Sequence, residues 1–267
     1  MTNRPQPEYV VLIPSYNTGS RLFETIAAVR QCGLPVIAIV DGSSDGTDEV
    51  LVHLAADDPG LSACLLPQNQ GKGAAILQGL LLARTQGFTY AMTMDADGQH
   101  SVAHIAPMID LSLAHPDCMI LGRPLFDASA PRIRVFGHGI ANFCTGLLTP
   151  RGAIADSLFG FRIYPVGPLI EAFANTSGMR RFDFDSEAVI RLHWQGVRPV
   201  NVSTPVRYFA RDEGGVSHFK YLRDNLLLTG MYGRLAATLL GRTLARWFAA
   251  SRSVGTAPYQ SIRSSRR

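Results

Sequence analysis

Two apolar runs, Tyr9-Val10-Val11-Leu12-Ile13-Pro14 and Pro35-Val36-Ile37-Ala38-Ile39-Val40, constrain the fold of this chain more than any other feature. Neither run alternates polar with apolar residues, so each reads as a strand covered on both faces, as in a buried parallel sheet. Between them, Arg21 to Cys32 carries Leu22, Ile26 and Val29 at helical spacing. Strand, helix and strand in so short a length imply a right-handed parallel crossover. The pattern continues with strands at Leu61 to Leu66, Tyr90 to Met94 and Cys118 to Gly122, and helices from Ala74 to about Thr85 and from Ser101 to His115. An apolar helix-like segment spans Ile133 to Leu148, and a helix opening at Arg181 runs to about Trp194. Val197 to Val202 and Val206 to Phe209 read as further strands. The expectation is an α/β domain with a mostly parallel central sheet and helices on both faces.

In open sheets of this kind ligands lie beyond the carboxyl ends of the strands, so the residues that follow each strand are the site candidates. The first strand runs into Ser15-Tyr16-Asn17 and the second into Asp41-Gly42-Ser43-Ser44-Asp45-Gly46-Thr47. Carboxylates there can accept hydrogen bonds from a nucleobase or ribose, while glycines allow close backbone approach. Ser44 or Asp45 would serve equally well as a helix cap. Gly71-Lys72-Gly73, at the start of a helix, makes an anion-friendly corner, although neither the dinucleotide fingerprint nor the P-loop spacing is present. The fourth strand ends in Asp95-Ala96-Asp97-Gly98-Gln99-His100. Residues at i and i+2 of a strand point the same way, so the two carboxylates aim at one spot. A hard cation such as Mg²⁺ or Mn²⁺ is held by one or two carboxylates together with substrate phosphates, and Gln99 and His100 are close enough to contribute. Taken alone, an Asp-x-Asp is also an ordinary solvated turn.

Taken together, Val10-Val11-Leu12-Ile13-Pro14-Ser15-Tyr16-Asn17, Val40 to Thr47, Asn69-Gln70-Gly71-Lys72-Gly73 and Met94 to His100 resemble, in order and spacing, the motifs of family 2 glycosyltransferases with the GT-A fold. The Gly-Lys-Gly corner and the Asp-Ala-Asp-x-Gln form look most like the dolichyl-phosphate mannose synthase and polyprenyl-phosphate glycosyltransferase branch. The resemblance covers about residues 8 to 210. It implies a nucleotide-sugar bound by Pro14, Tyr16, Asn17, Asp41, Ser43, Asp45, Gly71, Lys72, Asp95, Ala96 and Asp97. It also implies Mg²⁺ or Mn²⁺ on Asp95, Asp97 and Gln99, a Lewis acid for the departing nucleoside diphosphate.

The same resemblance gives roles to residues further on. Asp156-Ser157-Leu158-Phe159-Gly160-Phe161-Arg162 matches a D-x-x-x-G-F-R pattern beside the acceptor, with Asp156 as general base or donor orienter and Arg162 as phosphate ligand. Without the resemblance the two would read as a surface ion pair. Asp185 and Glu187 fall where many members carry an acidic catalytic motif, though acids also suit the first turn of a helix. Arg123, Arg207 and His218 complete the acceptor and phosphate set, and Gly214 to Phe219 reads as a lid that closes over the diphosphate. The Ile133 to Leu148 segment, with Arg132, Arg134 and His138, reads as a cover for the acceptor site or a membrane contact, with an ordinary packed helix as the alternative.

From Phe219 to about Ala250 the pattern is helical. Arg223, Arg234, Arg242, Arg246 and Arg252 gather on one side, and Tyr232, Ala236, Leu239, Leu240, Leu244 and Trp247 on the other. Leu227, Met231 and Leu235 break the pattern. A basic face opposite Trp and Leu is the composition of an interfacial membrane helix, and a helix docked on the protein's own core is the alternative. Beyond Pro205 eleven basic residues face three acidic ones, which accounts for the net charge of +4 and suggests an anionic partner, membrane phospholipid or nucleic acid. Given the resemblance, nucleic acid is not expected. The expected organisation is a catalytic domain over residues 1–210, a lid loop and amphipathic helix over 211–250, and a disordered basic tail over 251–267.

Hydrophobic residues make up 46% and charged residues 17% of the 267 positions, which excludes disorder as the general state. Cys32, Cys64, Cys118 and Cys144 show no C-x-x-C pairing and are expected as buried thiols. The N-terminus has no apolar leader, and no apolar run reaches the 18 or so residues of a membrane span. The expected enzyme is therefore peripheral on the cytoplasmic face of the membrane. It is metal-dependent, inverting by resemblance, and moves a sugar from a UDP- or GDP-sugar to a lipid-linked acceptor, either polyprenyl phosphate or a lipid hydroxyl. A nucleotidyltransferase would open with a Gly-rich loop after the first strand, which is absent. A non-catalytic membrane or nucleic-acid adaptor is suggested by the basic tail alone.

Overall fold

A computed structural model describes residues 8–126, 130–206 and 221–254. The chain begins with β1 (Tyr9–Ser15), α1 (Ser20–Gln31), β2 (Val36–Asp41), α2 (Thr47–Asp57), β3 (Leu61–Leu66), α3 (Lys72–Thr85) and β4 (Tyr90–Thr93). A short 3₁₀ turn at Val102–His104 leads into α4 (Ile105–Ala114), β5 (Cys118–Leu125) and α5 (Arg132–Leu148). Then come β6 (Arg162–Pro165), α6 (Val166–Ala174), α7 (Asp183–Trp194), β7 (Arg198–Pro205) and α8 (Tyr221–Val254). The seven strands form one sheet in the order β3-β2-β1-β4-β6-β5-β7.

The first four strands are mutually parallel, with Val11 opposite both Val36 and Met92. Their lack of alternation has the expected cause. Val10, Leu12, Ile37 and Ile39 pack into the core shared with α3, α6 and α7. Val11, Ile13, Ala38 and Val40 pack on the other face with Leu22 and Ile26 of α1 and Met108 of α4.

The sequence did not reveal β6, which is antiparallel to both neighbours. Four residues are too few to display a period, and they follow directly on a loop motif. The consequence is functional, since β6 slides between β4 and β5 and sets Arg162 opposite Thr93 and Leu121.

Helix α8 corrects the expected division of its faces. Leu228, Met231 and Leu235 are buried, so two of the pattern-breaking residues belong to the docking face. Arg234, assigned to the basic face, reaches inward to Glu187 at 3.1 Å. Leu240, Leu244 and Trp247 are exposed. The helix therefore docks through its first half and displays a second apolar stripe in its second half. Among the described residues no helix is long and apolar enough to cross a membrane. All four cysteines are free, but Cys32 is exposed, so only the other three fit burial in whole or part. Arg207, His218, the expected lid and residues 255–267 lie outside the described residues.

Candidate active site

The loops after β1 and β2 are bolted into one surface. Asn17, at a φ of 49°, donates its N–H to Ser43 Oγ at 3.0 Å and accepts the Ser44 N–H on Oδ1 at 2.8 Å. Asp45 accepts the Gly19 N–H at 3.0 Å and the Thr47 N–H at 3.2 Å. It thus ties the loops together and steadies the start of α2. Partial burial would raise its carboxyl, but the hydrogen bonds from Thr47 and Gly19 outweigh that and lower it.

Asp41 faces inward. Its two oxygens accept the N–H groups of Gln70 and Gly71, each at 2.8 Å, and only 3% of the residue is exposed. The carboxylate expected to stand open to a base is instead a brace holding the third loop to β2. A neighbouring cleft is lined by Val40, Gly42, Ser43, Asp48, Leu65, Leu66 and Pro67. Apolar side chains beside one hydroxyl and one carboxylate suit a flat heteroaromatic ring that carries an N–H donor. Pro14 and Tyr16 are half-buried at the end of β1.

The Gly-Lys-Gly corner also turns inward. The Gly71 N–H is committed to Asp41, and the Ala74 N–H donates to Arg180 O at 2.9 Å. A Cβ on Gly73 would stand 1.9 Å from Met179 O, so glycine there lets α3 begin against the segment before α7. Between the glycines Lys72 projects to the strand ends, with Nζ 2.8 Å from Asp95 Oδ1 and 2.9 Å from Asp185 Oδ2. Burial opposes its charge, but Asp185 and Asp95 overcome that and raise its pKa. Gly160 lies directly beneath, where a Cβ would sit 2.7 Å from Lys72 Nζ.

Asp95 and Asp97 leave β4 in unlike environments. The Asp95 N–H donates to His100 Nδ1 at 3.1 Å, which fixes His100 as the neutral Nε2–H tautomer. Burial holds that imidazole down at about 4, and it stacks on Phe161 at 5.1 Å. Burial would raise Asp95, but Lys72 and His100 bring it to about 2. Asp97 accepts the Gln99 N–H at 3.0 Å, and burial with the charge of Asp95 pushes it up to about 6. Asp95 is thus neutralised by Lys72, while at Asp97 burial and the charge of Asp95 outweigh the nearby Lys72 and Arg134. That is the chemistry a divalent cation would relieve. Among the described residues no group of three or more His, Cys, Asp or Glu side chains is placed to hold a metal. An ion here would draw its other ligands from the nucleotide phosphates. Ala96 is buried in the core on the α1 side, its carbonyl accepting from Thr25.

Of the three expected catalytic carboxylates, only Asp185 faces this corner, from the first turn of α7. Burial pushes it up against the pull of Lys72 and Arg162. Glu187, two residues on, points to the opposite side of the helix, as i,i+2 spacing requires. It is fully buried and bonded to Thr176 at 2.9 Å, Arg191 at 2.7 Å and Arg234 at 3.1 Å, which corrects its assignment as a catalytic acid. Asp156 is likewise committed. It accepts the N–H groups of Leu158 and Phe159 at 2.9 and 2.8 Å and Asn142 Nδ2 at 3.2 Å, and lies 2.6 Å from His138 Nδ1. Burial would raise it, but these partners lower it, so it is a poor proton acceptor and an anchor for α5.

Arg162 is neither a surface ion pair nor an open phosphate ligand. It is fully buried and donates to Tyr164 OH at 2.9 Å, to Asp185 O, and to Asp156 O at 3.2 Å. Arg123 is exposed near the carboxyl end of β5. Sequence reasoning put His100 near the metal shell and missed it as a brace, and it noted Arg134 beside the acceptor without linking it to Asp97, which it lies near enough to lower. The four-residue spacing of Arg134, His138 and Asn142 was the available signal.

Glycosyl transferase family 2 matches residues 10–164. The polyprenol monophosphomannose synthase of Mycolicibacterium smegmatis is 30% identical over 125 residues, 46% of this chain and 47% of that enzyme. A UDP-N-acetylglucosamine–dolichyl-phosphate N-acetylglucosaminyltransferase of Methanococcus voltae is 26% identical over 67% of this chain and 78% of its own length. Glucosyl-3-phosphoglycerate synthase of Mycobacterium tuberculosis, solved with Mn²⁺, UDP-glucose and phosphoglyceric acid, superposes with a TM-score of 0.58 at 17% identity, covering 89% of this chain and 80% of that one.

Proposed function

This chain belongs to glycosyl transferase family 2 and is a glycosyltransferase of GT-A architecture, and from that premise we propose that it transfers a sugar from a UDP- or GDP-sugar to a polyprenyl phosphate at a membrane surface. The observation that carries the acceptor class is the commitment of its carboxylates. Asp156 and Glu187 are saturated by structural partners, and Asp185 is held on Lys72. A hydroxyl acceptor needs a free base within hydrogen-bond reach. A phosphomonoester, with a second pKa of about 6, arrives already ionised. The named activities of the mannose synthase and the N-acetylglucosaminyltransferase agree with this choice.

In the proposed reaction an acceptor phosphate oxygen attacks the anomeric carbon, the bond from that carbon to the donor diphosphate breaks, and the nucleoside diphosphate leaves with the electron pair. The fused β1 and β2 loops and the cleft at Leu65 and Leu66 take the nucleoside. Lys72, with Arg162 behind it, keeps Asp95 ionised and fixed. Arg123 and Arg134 lie on the acceptor side, where they steer an anion toward Asp97. Asp95 and Asp97, with Gln99 alongside, would hold Mg²⁺ or Mn²⁺. A bound ion there supplies charge neutralisation to the diphosphate. The exposed Leu240, Leu244 and Trp247 of α8 and the basic excess beyond Pro205 favour peripheral attachment to the anionic inner face of the membrane.

The test is transfer of radiolabelled sugar from UDP- and GDP-sugars to polyprenyl phosphate with Mn²⁺. Transfer by the wild type that is lost in Asp97→Ala is the expected result. Transfer only to a lipid hydroxyl overturns the acceptor assignment, and failure to bind any nucleotide-sugar overturns the donor assignment.

A further inference from the structure

Helix α5 is built inside out. A helix on a water-soluble domain turns its apolar stripe to the core and its polar face to solvent. On α5 the residues facing the protein are Arg134, His138 and Asn142, the last two reaching Asp156, together with Ala141, Thr145 and Leu148. The opposite face carries Ile133, Phe136, Ile140, Phe143 and Leu147, exposed by 60%, 69%, 52%, 67% and 59%. Their spacing of three, four, three and four residues makes one continuous stripe, about 21 Å long at 1.5 Å per residue. Single exposed apolar residues are ordinary, but a contiguous stripe of this kind marks a surface that is covered in use.

From this polarity we infer that α5 lies flat on the bilayer, its outer stripe among lipid acyl chains and its inner face over Asp97. The inference rests on the lipid-borne acceptor proposed above and adds the element that meets the lipid. Arg134 of the inner face influences Asp97 directly, so only the thickness of one helix, about 10 Å, separates the lipid-facing stripe from the carboxylate corner. An acceptor phosphate anchored in the bilayer would then reach Asp97 without leaving the interface. Arg132 is exposed at the start of the stripe, and the chain beyond Pro205 is strongly basic, which complements an anionic lipid surface. The same charges would repel in a pairing of two copies through this face.

The test is co-sedimentation of the full chain with phosphatidylcholine–phosphatidylglycerol vesicles. In Phe136→Ser/Phe143→Ser the vesicle affinity should fall on the order of a hundredfold, because two large apolar anchors are removed, while donor binding stays unchanged. A second variant, Phe143→Trp, keeps the apolar character of the stripe, and its added fluorescence should be quenched by brominated acyl chains. Unchanged vesicle binding in the double variant, or a tryptophan at 143 that brominated lipid leaves unquenched, overturns the inference. So does a shift from dimer to monomer with vesicle binding intact, which would assign the stripe to a second copy. Neither readout requires donor or transfer, so failure of the proposed reaction is scored separately by nucleotide-sugar binding.

Discussion

Lys72 Nζ stands 2.8 Å from Asp95 Oδ1, so a cation of the protein itself already neutralises one of the two carboxylates that close β4. Truncating Lys72 leaves the buried Asp185 and the one-third-exposed Asp95 without their shared partner, a change that costs about 3–5 kcal/mol for fully buried pairs and less where water reaches one partner. Lys72→Met should therefore melt well below the wild type. Mn²⁺ should restore more stability to the variant than it adds to the wild type, since Asp95 is then free to bind it. Equal Mn²⁺ shifts in differential scanning fluorimetry would count against competition between the ammonium and the metal.

Asp97 carries the opposite burden. Its carboxyl is pushed up to about 6, so ionising it costs the native state free energy at every pH above that value, and the cost vanishes below the ordinary carboxylate range. Asp97→Asn should thus be more stable than the wild type at pH 7 without metal, by up to about 3 kcal/mol at 1.36 kcal/mol per pKa unit. The advantage should shrink as pH falls through 6 toward 4, and sugar transfer should be lost. Chemical denaturation at pH 7 and pH 4.5 reads the first point, and a variant no more stable at pH 7 than at pH 4.5 relative to wild type would contradict it.

His100 titrates with the other sign. It is held neutral down to about 4, whereas an unfolded chain takes up the proton near 6.5. The stability it supports is complete above 6.5 and drains away as pH falls toward 4, at up to about 1.4 kcal/mol per pH unit. His100→Asn keeps an acceptor for the Asp95 N–H and has nothing to protonate. Its stability should decline less steeply than the wild type between pH 6.5 and 4, as followed by urea midpoints.

Glu187 and Asp185 sit two residues apart yet should fail differently. Glu187→Gln breaks the buried network with Arg191 and Arg234, so it should lower stability by about 2–4 kcal/mol and leave turnover per folded molecule close to normal. Asp185→Asn should cut turnover at least tenfold with a smaller loss of stability. Comparable turnover losses in both would place Glu187 in the catalytic machinery after all.

Truncation separates the halves of α8. Removing residues 240–267 deletes the exposed stripe and should weaken vesicle binding with little change in melting temperature. Removing residues 221–267 also uncovers the seats of Leu228, Met231 and Leu235 and leaves Glu187 without Arg234. That shorter chain should aggregate or melt many degrees lower, which size-exclusion chromatography and circular dichroism would report.

Much of this architecture was legible before any coordinates. Unbroken Val and Ile runs fixed β1 and β2 as interior parallel strands, because a strand buried on both faces cannot carry polar alternation. The polar residues crowded at strand ends located the site, because that edge is where a parallel sheet opens. The brief strand β6 was not legible, since four residues carry no period, and with it went the burial of Arg162.

Residue type at a strand end declares which chemistry is available, but it does not say which atoms are free to perform it. The sequence by itself determined the parallel α/β sheet, the carboxylate pair Asp95 and Asp97, and a basic apolar helix at the end of the chain. Only the tertiary structure decided that Asp41, Asp156 and Glu187 spend their oxygens on backbone and side-chain donors while Asp97, pressed by burial and by Asp95, is held less firmly as an anion. It alone also decided which side of α5 faces outward. These outcomes depend on hydrogen-bond partners far away in sequence, and a buried carboxylate becomes a brace or a reagent according to whether such partners reach it.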